Sequence, residues 1–276
     1  MTEHSPDTLL QWLRDAIRPM MEGGIALAYS GGVDSTLLLA VCAELAREGN
    51  GRVVALTAHT PMHSEAEIAR ARELAQSFGV PIEEFPINPL ELEPVRLNRP
   101  DRCYYCKRAL FQRFTDYAEA HALRTVVEGS HADDEKAYRP GRRAIQELLV
   151  RSPLAELGFT KADVRAVSAA LHLPTADAPA KPCLATRFNY GTELTDTLLR
   201  RVQEGEDYLH TVLPHAADIR LRVHSDLARI ELPPSQFPAA VERADTITAE
   251  LKKLGFRFVT LDLQGFRSGS FDTPQS

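Results

Sequence analysis

The sequence predicts an α/β protein: a doubly wound, mostly parallel sheet followed by a small C-terminal α+β domain. Three observations carry this. Short apolar runs alternate with segments of helical periodicity from residue 7 to about 171. The first of those runs ends in two glycines and passes directly into a helical segment. A Pro- and Ala-rich stretch at 174–192 then separates this pattern from a tail whose strands alternate strictly between apolar and polar residues.

The elements follow in order. Leu9, Leu10, Leu13 and Ile17 give a helix over 7–21. IALAYS (25–30) reads as a buried strand, and a helix follows from Asp34 to about Arg47. VVALTA (53–58) is the second strand. Ser64 opens the next helix as N-cap, with Glu67 at the capping-box position and Gly79 as its stop. IEEFPI (82–87) is the third strand. Asn88 to Pro100 is Pro-rich and irregular. A helix is expected over 107–121, a fourth strand at TVVEGS (125–130), a short helix in RRAIQELL, and a helix over 161–171 capped by Thr160. After the hinge, a helix over 194–211, strands at 219–225 and 228–232, a helix over 235–254 and a strand at 257–263 complete the tail. The division is 1–180 and 181–276.

Composition narrows the class. The chain has 276 residues and a net charge of −6, so bulk attraction to nucleic acid is not expected. The N-terminal residues lack a basic start and an apolar h-region, and no apolar run reaches the length of a membrane span, so a cytoplasmic protein without membrane association is expected. Four cysteines do not make a disulfide framework.

The strongest chemical signal is AYSGGVDST (28–36). Gly31 and Gly32 let the backbone fold tightly around an anion. Ser30, Ser35 and Thr36 offer hydroxyls, and the following helix aims its free N–H groups and positive dipole end at the same point. No G-x-x-x-x-G-K-[ST] P-loop occurs. The turn resembles the SGGxDS PP-loop of ATP pyrophosphatases, which implies the adenine nucleotide alpha hydrolase-like fold, ATP as ligand and Asp34 as a magnesium-holding acid. The strand ends LTAHT (56–60) and EGSHADDE (128–135) lie where such a sheet meets ligand. Thr57 and Gly129 are therefore candidates for the nucleotide pocket, and Asp133 or Asp134 for Mg²⁺. An acidic loop after a strand also serves as a plain cap or solvated turn.

Cys42, inside an apolar helix, reads as packing. Cys103 and Cys106 form DRCYYCKR (101–108), and Cys183 stands in the hinge. Four uses fit the three: structural zinc with His131 as fourth ligand, a Cys103–Cys106 redox pair, a three-thiolate [4Fe–4S] cluster with one open iron, or simple packing. Lys107, Lys181 and Arg187 flank them, either acting on thiol or phosphate or standing as surface charge. In IRLRVH, Arg220, Arg222 and His224 share one strand face; this is either a phosphate-binding set, which Arg267 in GFRSG would join, or a solvated cationic face paired with Glu231.

Taken together, SGGVDST, RCYYCKRALF, GSHADDEKAYRPGRRA, KPCLATRFNYGTELT, RVHSDLARIEL and LDLQGFRSG resemble the LarE family of ATP-dependent sulfur transferases over about residues 20–270. The resemblance implies adenylylation of a carboxylate of pyridinium-3,5-biscarboxylic acid mononucleotide, then sulfur delivery to give a thiocarboxylate for the nickel-pincer nucleotide cofactor. It implies ATP, Mg²⁺ and a [4Fe–4S] cluster on Cys103, Cys106 and Cys183, with Cys183 as the catalytic sulfur position. Arg220, Arg222 and Arg267 match the family's anion cluster, and Glu206 matches a metal-linked acid. The first domain becomes the PP-loop domain and the second a substrate-binding and oligomerisation domain, in trimers or hexamers. The alternatives are sacrificial loss of sulfur from Cys183, a tRNA thiolase, an ATP-dependent amidating enzyme, and a nucleotide sensor without turnover.

Overall fold

The structure is a computed structural model that describes residues 4–135, 140–179, 182–216 and 218–267. Most of the AYRPG block, Lys181 and the end of GFRSG lie outside them. The chain runs α1 (Pro6–Met21), β1 (Ile25–Ala28), α2 (Val33–Arg47), β2 (Val53–His59), α3 (Glu65–Ser77), β3 (Ile82–Pro86), α4 (Glu93–Arg96) and α5 (Arg102–Ala120). It continues with β4 (Thr125–Val127), α6 (Gly141–Glu147), α7 (Pro153–Glu156), α8 (Lys161–Ala170), α9 (Asp196–Val212), β5 (Arg220–His224) and β6 (Leu227–Glu231). It ends with α10 (Phe237–Glu242), α11 (Ala244–Lys253) and β7 (Phe258–Leu261). No helix among the described residues is long and apolar enough to cross a membrane.

Two compact units result. The first comprises Met1–Pro89 and Asp101–Ala180, the second Leu90–Pro100 and Lys181–Ser276. A linear division at 180/181 leaves out this excursion. It is fastened by contacts distant in sequence: Leu194 N donates to Arg96 O at 2.7 Å, and buried Asn98 donates from Nδ2 to the carbonyls of Phe188 and Asn189 at 3.2 and 2.9 Å.

In the first unit the sheet order is β3-β2-β1-β4, all parallel. Residue alternation sends Ile25 and Leu27 to one face and Ala26 to the other. On the first face they meet α1, α2 and α8 through Leu13, Ile17, Leu38, Val164 and Val167; on the second, Phe111, Phe114 and Ala118 of α5 and Ile145 of α6 close the core. Helix α2 is buried nearly all round, so its position is fixed by packing rather than by an amphipathic stripe. Arg151 extends the sheet beside β4 by one parallel bridge, giving its N–H to Val126 O and its carbonyl to Glu128 N, both at 2.9 Å.

The caps expected at Ser64 and Thr160 form complete capping boxes with Glu67 and Asp163. Two boundaries differ. Helix α5 begins at Arg102 rather than Lys107 and takes in both cysteines. Packing on α6 overrides the weak helix preference of Cys and Tyr: Tyr104 donates its hydroxyl to Glu147 at 2.8 Å, and Arg143 lies 3.6 Å from the Tyr104 ring centre. The helix expected over 235–254 divides into a 3-10 turn, α10 and α11; Pro238, in the first turn of α10, has no N–H to carry helical bonding through from the 3-10 turn, and Arg243 leaves helical geometry between α10 and α11 at φ −101°, ψ 15°. In the second unit β5, β6 and β7 form a three-stranded sheet, with β5–β6 antiparallel and β6–β7 parallel.

Phe114 is 2% exposed beneath the sheet. Phe114→Ala is expected to cost about 3–5 kcal/mol, measured by urea unfolding of the first unit's transition.

Candidate active site

Strand order reverses at β1 and β4, and in an open parallel sheet the crevice at the carboxyl ends of such strands takes ligand. The residues that follow these two strands are Ser30-Gly31-Gly32 and Glu128-Gly129-Ser130. Gly31 has φ +71°, and a Cβ there would stand 3.0 Å from that of Ala71 on α3. Gly129 makes a close approach: a Cβ there would lie 3.1 Å from Asp34 Cβ and 3.2 Å from Ser35 N. The turn is tied internally. Ser35 Oγ donates to Gly32 O at 3.2 Å and accepts from Ser30 N at 3.3 Å, while Ser30 and Ser35 hydroxyls lie 3.2 Å apart. Ser30, Gly31 and Gly32 reach solvent beside the first turn of α2. Thr36 is fully buried behind the turn, and Thr57 is buried in β2.

The acids around this turn are engaged. Asp34 receives Lys161 Nζ on both oxygens, at 2.7 and 2.6 Å. Asp133 accepts the Lys161 backbone N–H at 2.8 Å, so the loop after β4 and the start of α8 are joined. Asp134 is buried, accepts from His131 N at 3.2 Å and lies 3.6 Å from His131 Nε2. Glu128, also buried, accepts from both Ser130 and Ser152 hydroxyls and lies 4.0 Å from Lys107 Nζ. Neither Lys161 nor Glu128 carries a distinguishing signal in the sequence; a Lys directly after an N-cap Thr looks like any helix start.

Helix α5 precedes β4 in the parallel sheet, so its N-terminus lies at the same carboxyl edge. Cys103 and Cys106, three residues apart, share one face of its first turns and are partly exposed. Gly141 packs against this point, its would-be Cβ 2.7 Å from Lys107 Cδ and 3.3 Å from Cys103 O. Two part-exposed thiols at a helix N-terminus fit two soft ligands of a metal cluster. Among the described residues, no group of three or more His, Cys, Asp or Glu is gathered to hold a metal ion. Cys42 is fully buried, and burial pushes its thiol up to about 12, which suits packing and not chemistry.

In the second unit Cys183 is partly exposed on a backbone held at several points. Its carbonyl accepts from Thr186 N at 3.1 Å, Thr186 Oγ1 at 2.9 Å and Arg187 Nη1 at 3.3 Å. Arg187 is not surface charge: it is 4% exposed, also donates to Pro182 O, and binds both oxygens of Glu206 at 2.9 Å. Glu206 additionally accepts Leu221 N at 2.9 Å.

The arginine face of β5 is buried, not solvated. Arg222 stands directly opposite Arg229 in the β5–β6 register, a like-charge pair that is unfavourable by itself. Glu231, fully buried, resolves it by accepting from Arg222 Nε at 3.0 Å and Arg229 Nη2 at 2.9 Å. Arg222 also donates to Thr186 O, tying β5 to the Cys183 segment. Arg220 lies 5.0 Å from the Phe266 ring centre. Burial, then the neighbouring charge of Arg187, lowers the Arg220 pKa; burial likewise lowers that of Arg222 against the opposing effect of Glu231. Arg267 is half-exposed, 3.9 Å from Asp262. Arg187 is thus held by Glu206, and Arg222 and Arg229 by Glu231, with Asp262 a further 3.6 Å from Arg229.

Residues 6–101 match the sequence family described as NAD synthase. Over 262 residues the chain is 36% identical to the pyridinium-3,5-bisthiocarboxylic acid mononucleotide synthase of Lactiplantibacillus plantarum, covering 95% of this chain and 91% of that protein. It is 40% identical over 250 residues to an uncharacterized protein of Synechocystis sp., covering 89% and 91%. An NH(3)-dependent NAD(+) synthetase of Mannheimia succiniciproducens is 32% identical over 135 residues, covering 45% and 52%.

Arg187→Met leaves Glu206 charged and buried without its cation. It is expected to destabilise the protein by about 3–5 kcal/mol in urea unfolding, and Arg187→Met with Glu206→Gln is expected to recover part of that loss.

Proposed function

We infer that this chain, which belongs to the LarE family of ATP-dependent sulfur transferases, adenylylates a carboxylate of pyridinium-3,5-biscarboxylic acid mononucleotide and converts it to a thiocarboxylate. The observation that carries the reading is an SGGVDS turn at the β1/β4 switch point in a chain 36% identical over 95% of its length to a synthase of the bisthiocarboxylic acid mononucleotide. ATP is the cosubstrate.

The steps follow from what the residues offer. The substrate carboxylate attacks the α-phosphorus of ATP and releases pyrophosphate, giving an acyl-adenylate. The Ser30–Ser35 turn and the N–H groups of α2 meet the charge that develops on the departing pyrophosphate. Asp34, with Asp133 or Asp134, would hold Mg²⁺, which supplies further positive charge there when bound. Arg220, Arg222 and Arg267 would take the substrate phosphate, with Glu231 keeping Arg222 in place. A sulfur nucleophile then displaces AMP from the acyl carbon.

Cys183 stands on a segment whose backbone carbonyl is held by Thr186 and Arg187, which supports it as the position of the reacting sulfur. With Cys103 and Cys106 it would hold a [4Fe–4S] cluster, which would supply a replaceable sulfide when bound. The proposed setting is the cytoplasm, with the protein as a homo-oligomer, trimer or hexamer, whose second domain binds substrate. The substrate is a small mononucleotide, and neither nucleic acid nor membrane takes part.

Protein purified without oxygen is expected to carry iron and acid-labile sulfide, and Cys103→Ala, Cys106→Ala and Cys183→Ala each to lose them. Given ATP, Mg²⁺ and the biscarboxylic mononucleotide, it is expected to release pyrophosphate over repeated turnovers when sulfide is supplied. Iron-free protein that stops after one turnover with Cys183 converted to dehydroalanine would establish the sacrificial route instead. No pyrophosphate release with that substrate would overturn the reading.

A further inference from the structure

Lys161 occupies both oxygens of Asp34, the acidic residue of the glycine-rich turn, at 2.7 and 2.6 Å. Neither helix needs this bond to stay where it is. Helix α2 is enclosed by core on nearly every side, and α8 is fixed by its Thr160–Asp163 capping box and by buried Val164 and Val167. The pair also stands at the surface of the ligand edge: the Lys161 side chain is 31% exposed and that of Asp34 24%. Incoming ligand can reach both. The root of the lysine is anchored, since its backbone N–H is held by Asp133 at 2.8 Å. Movement is therefore confined to the four-carbon stem, which swings without backbone change.

We propose that in the nucleotide-free protein Lys161 stands in for the divalent cation on Asp34, and that it transfers to the triphosphate when metal and nucleotide arrive together. This deepens the reading of the turn as the ATP site with Asp34 as its metal acid, and rests on it. Before binding, one ion pair exists, Asp34 with Lys161. Afterwards there are two, Asp34 with metal and Lys161 with phosphate. Either ligand alone does worse. A lone metal ion must evict Lys161 and leave an ammonium beside a dication. A lone triphosphate must take Lys161 and leave Asp34 bare beside an anion. At a partly buried site both arrangements are costly, so metal and nucleotide bind with positive, reciprocal coupling. Lys161 is the positioning residue that creates that coupling.

The probes are Mn²⁺, counted by electron paramagnetic resonance of the free ion, and α,β-methylene-ATP, followed by calorimetry with and without Mn²⁺. The wild-type protein is expected to bind Mn²⁺ alone, and the metal-free analogue alone, at least about tenfold more weakly than the Mn²⁺–analogue complex. In Lys161→Met, binding of Mn²⁺ alone is expected to tighten about tenfold while binding of the analogue complex weakens. Changes of opposite sign are not produced by general loss of structure. Lys161→Arg, which keeps the charge, is expected to return Mn²⁺ binding toward wild type. If Asp34→Asn abolishes Mn²⁺ binding but Lys161→Met leaves it unchanged or weaker, the proposal is overturned and the ATP-site reading stands. If Asp34→Asn binds the Mn²⁺–analogue complex as wild type does, Asp34 is not the metal acid, and both fall.

Discussion

Everything at the ligand edge depends on where helix α2 begins. The helix is packed on nearly all sides, so its first turn has one position available, at the carboxyl ends of β1 and β4. Gly31 allows the chain to pass α3 on the way in, and Gly129 allows the β4 loop to close over Asp34 and Ser35. A methyl group at Gly129 would stand 3.1 Å from Asp34 Cβ, tighter than ordinary contact, so the loop and the turn would have to give slightly. The site is therefore shaped by backbone approach first and by side chains second. That order suits a reaction whose first product, pyrophosphate, is best met by fixed N–H groups that need no reorganisation.

The second unit solves a different problem, that of concentrating arginines without losing them to water or to one another. Burying a guanidinium is unfavourable unless carboxylates and carbonyls take its donors. Glu206 serves Arg187, and Glu231 serves Arg222 and Arg229. The same bonds reach the Cys183 segment through Arg187 and through Arg222 with Thr186. Strand β5 and the cysteine backbone are thus held by one network.

Much of this was legible in the sequence because it follows local rules. The capping boxes at Ser64 and Thr160, the parallel apolar strands and the SGGVDS turn are each written in a few consecutive residues. What escaped reading depends on distant partners. Helix α5 gains its first turn, and with it Cys103 and Cys106, from packing on α6. Arg187 looks like hinge surface charge until Glu206 is seen against it. The alternation in IRLRVH marks which arginines share a face, but not that the face is buried. Lys161 carries no local signal at all, because its partner Asp34 lies 127 residues earlier. Leu90–Pro100 joins the second unit through Asn98, whose amide meets carbonyls about ninety positions later in the chain.

The central claim is that a carboxylate oxygen of the substrate becomes bonded to AMP before sulfur takes its place. Mass spectrometry of AMP formed from substrate whose carboxylates carry ¹⁸O tests this directly. Displacement of AMP from an acyl-adenylate transfers a single labelled oxygen into each AMP as thiocarboxylate accumulates. Thiocarboxylate accompanied by AMP without label would show that the carboxylate is never adenylylated, and would contradict the mechanism derived from the turn.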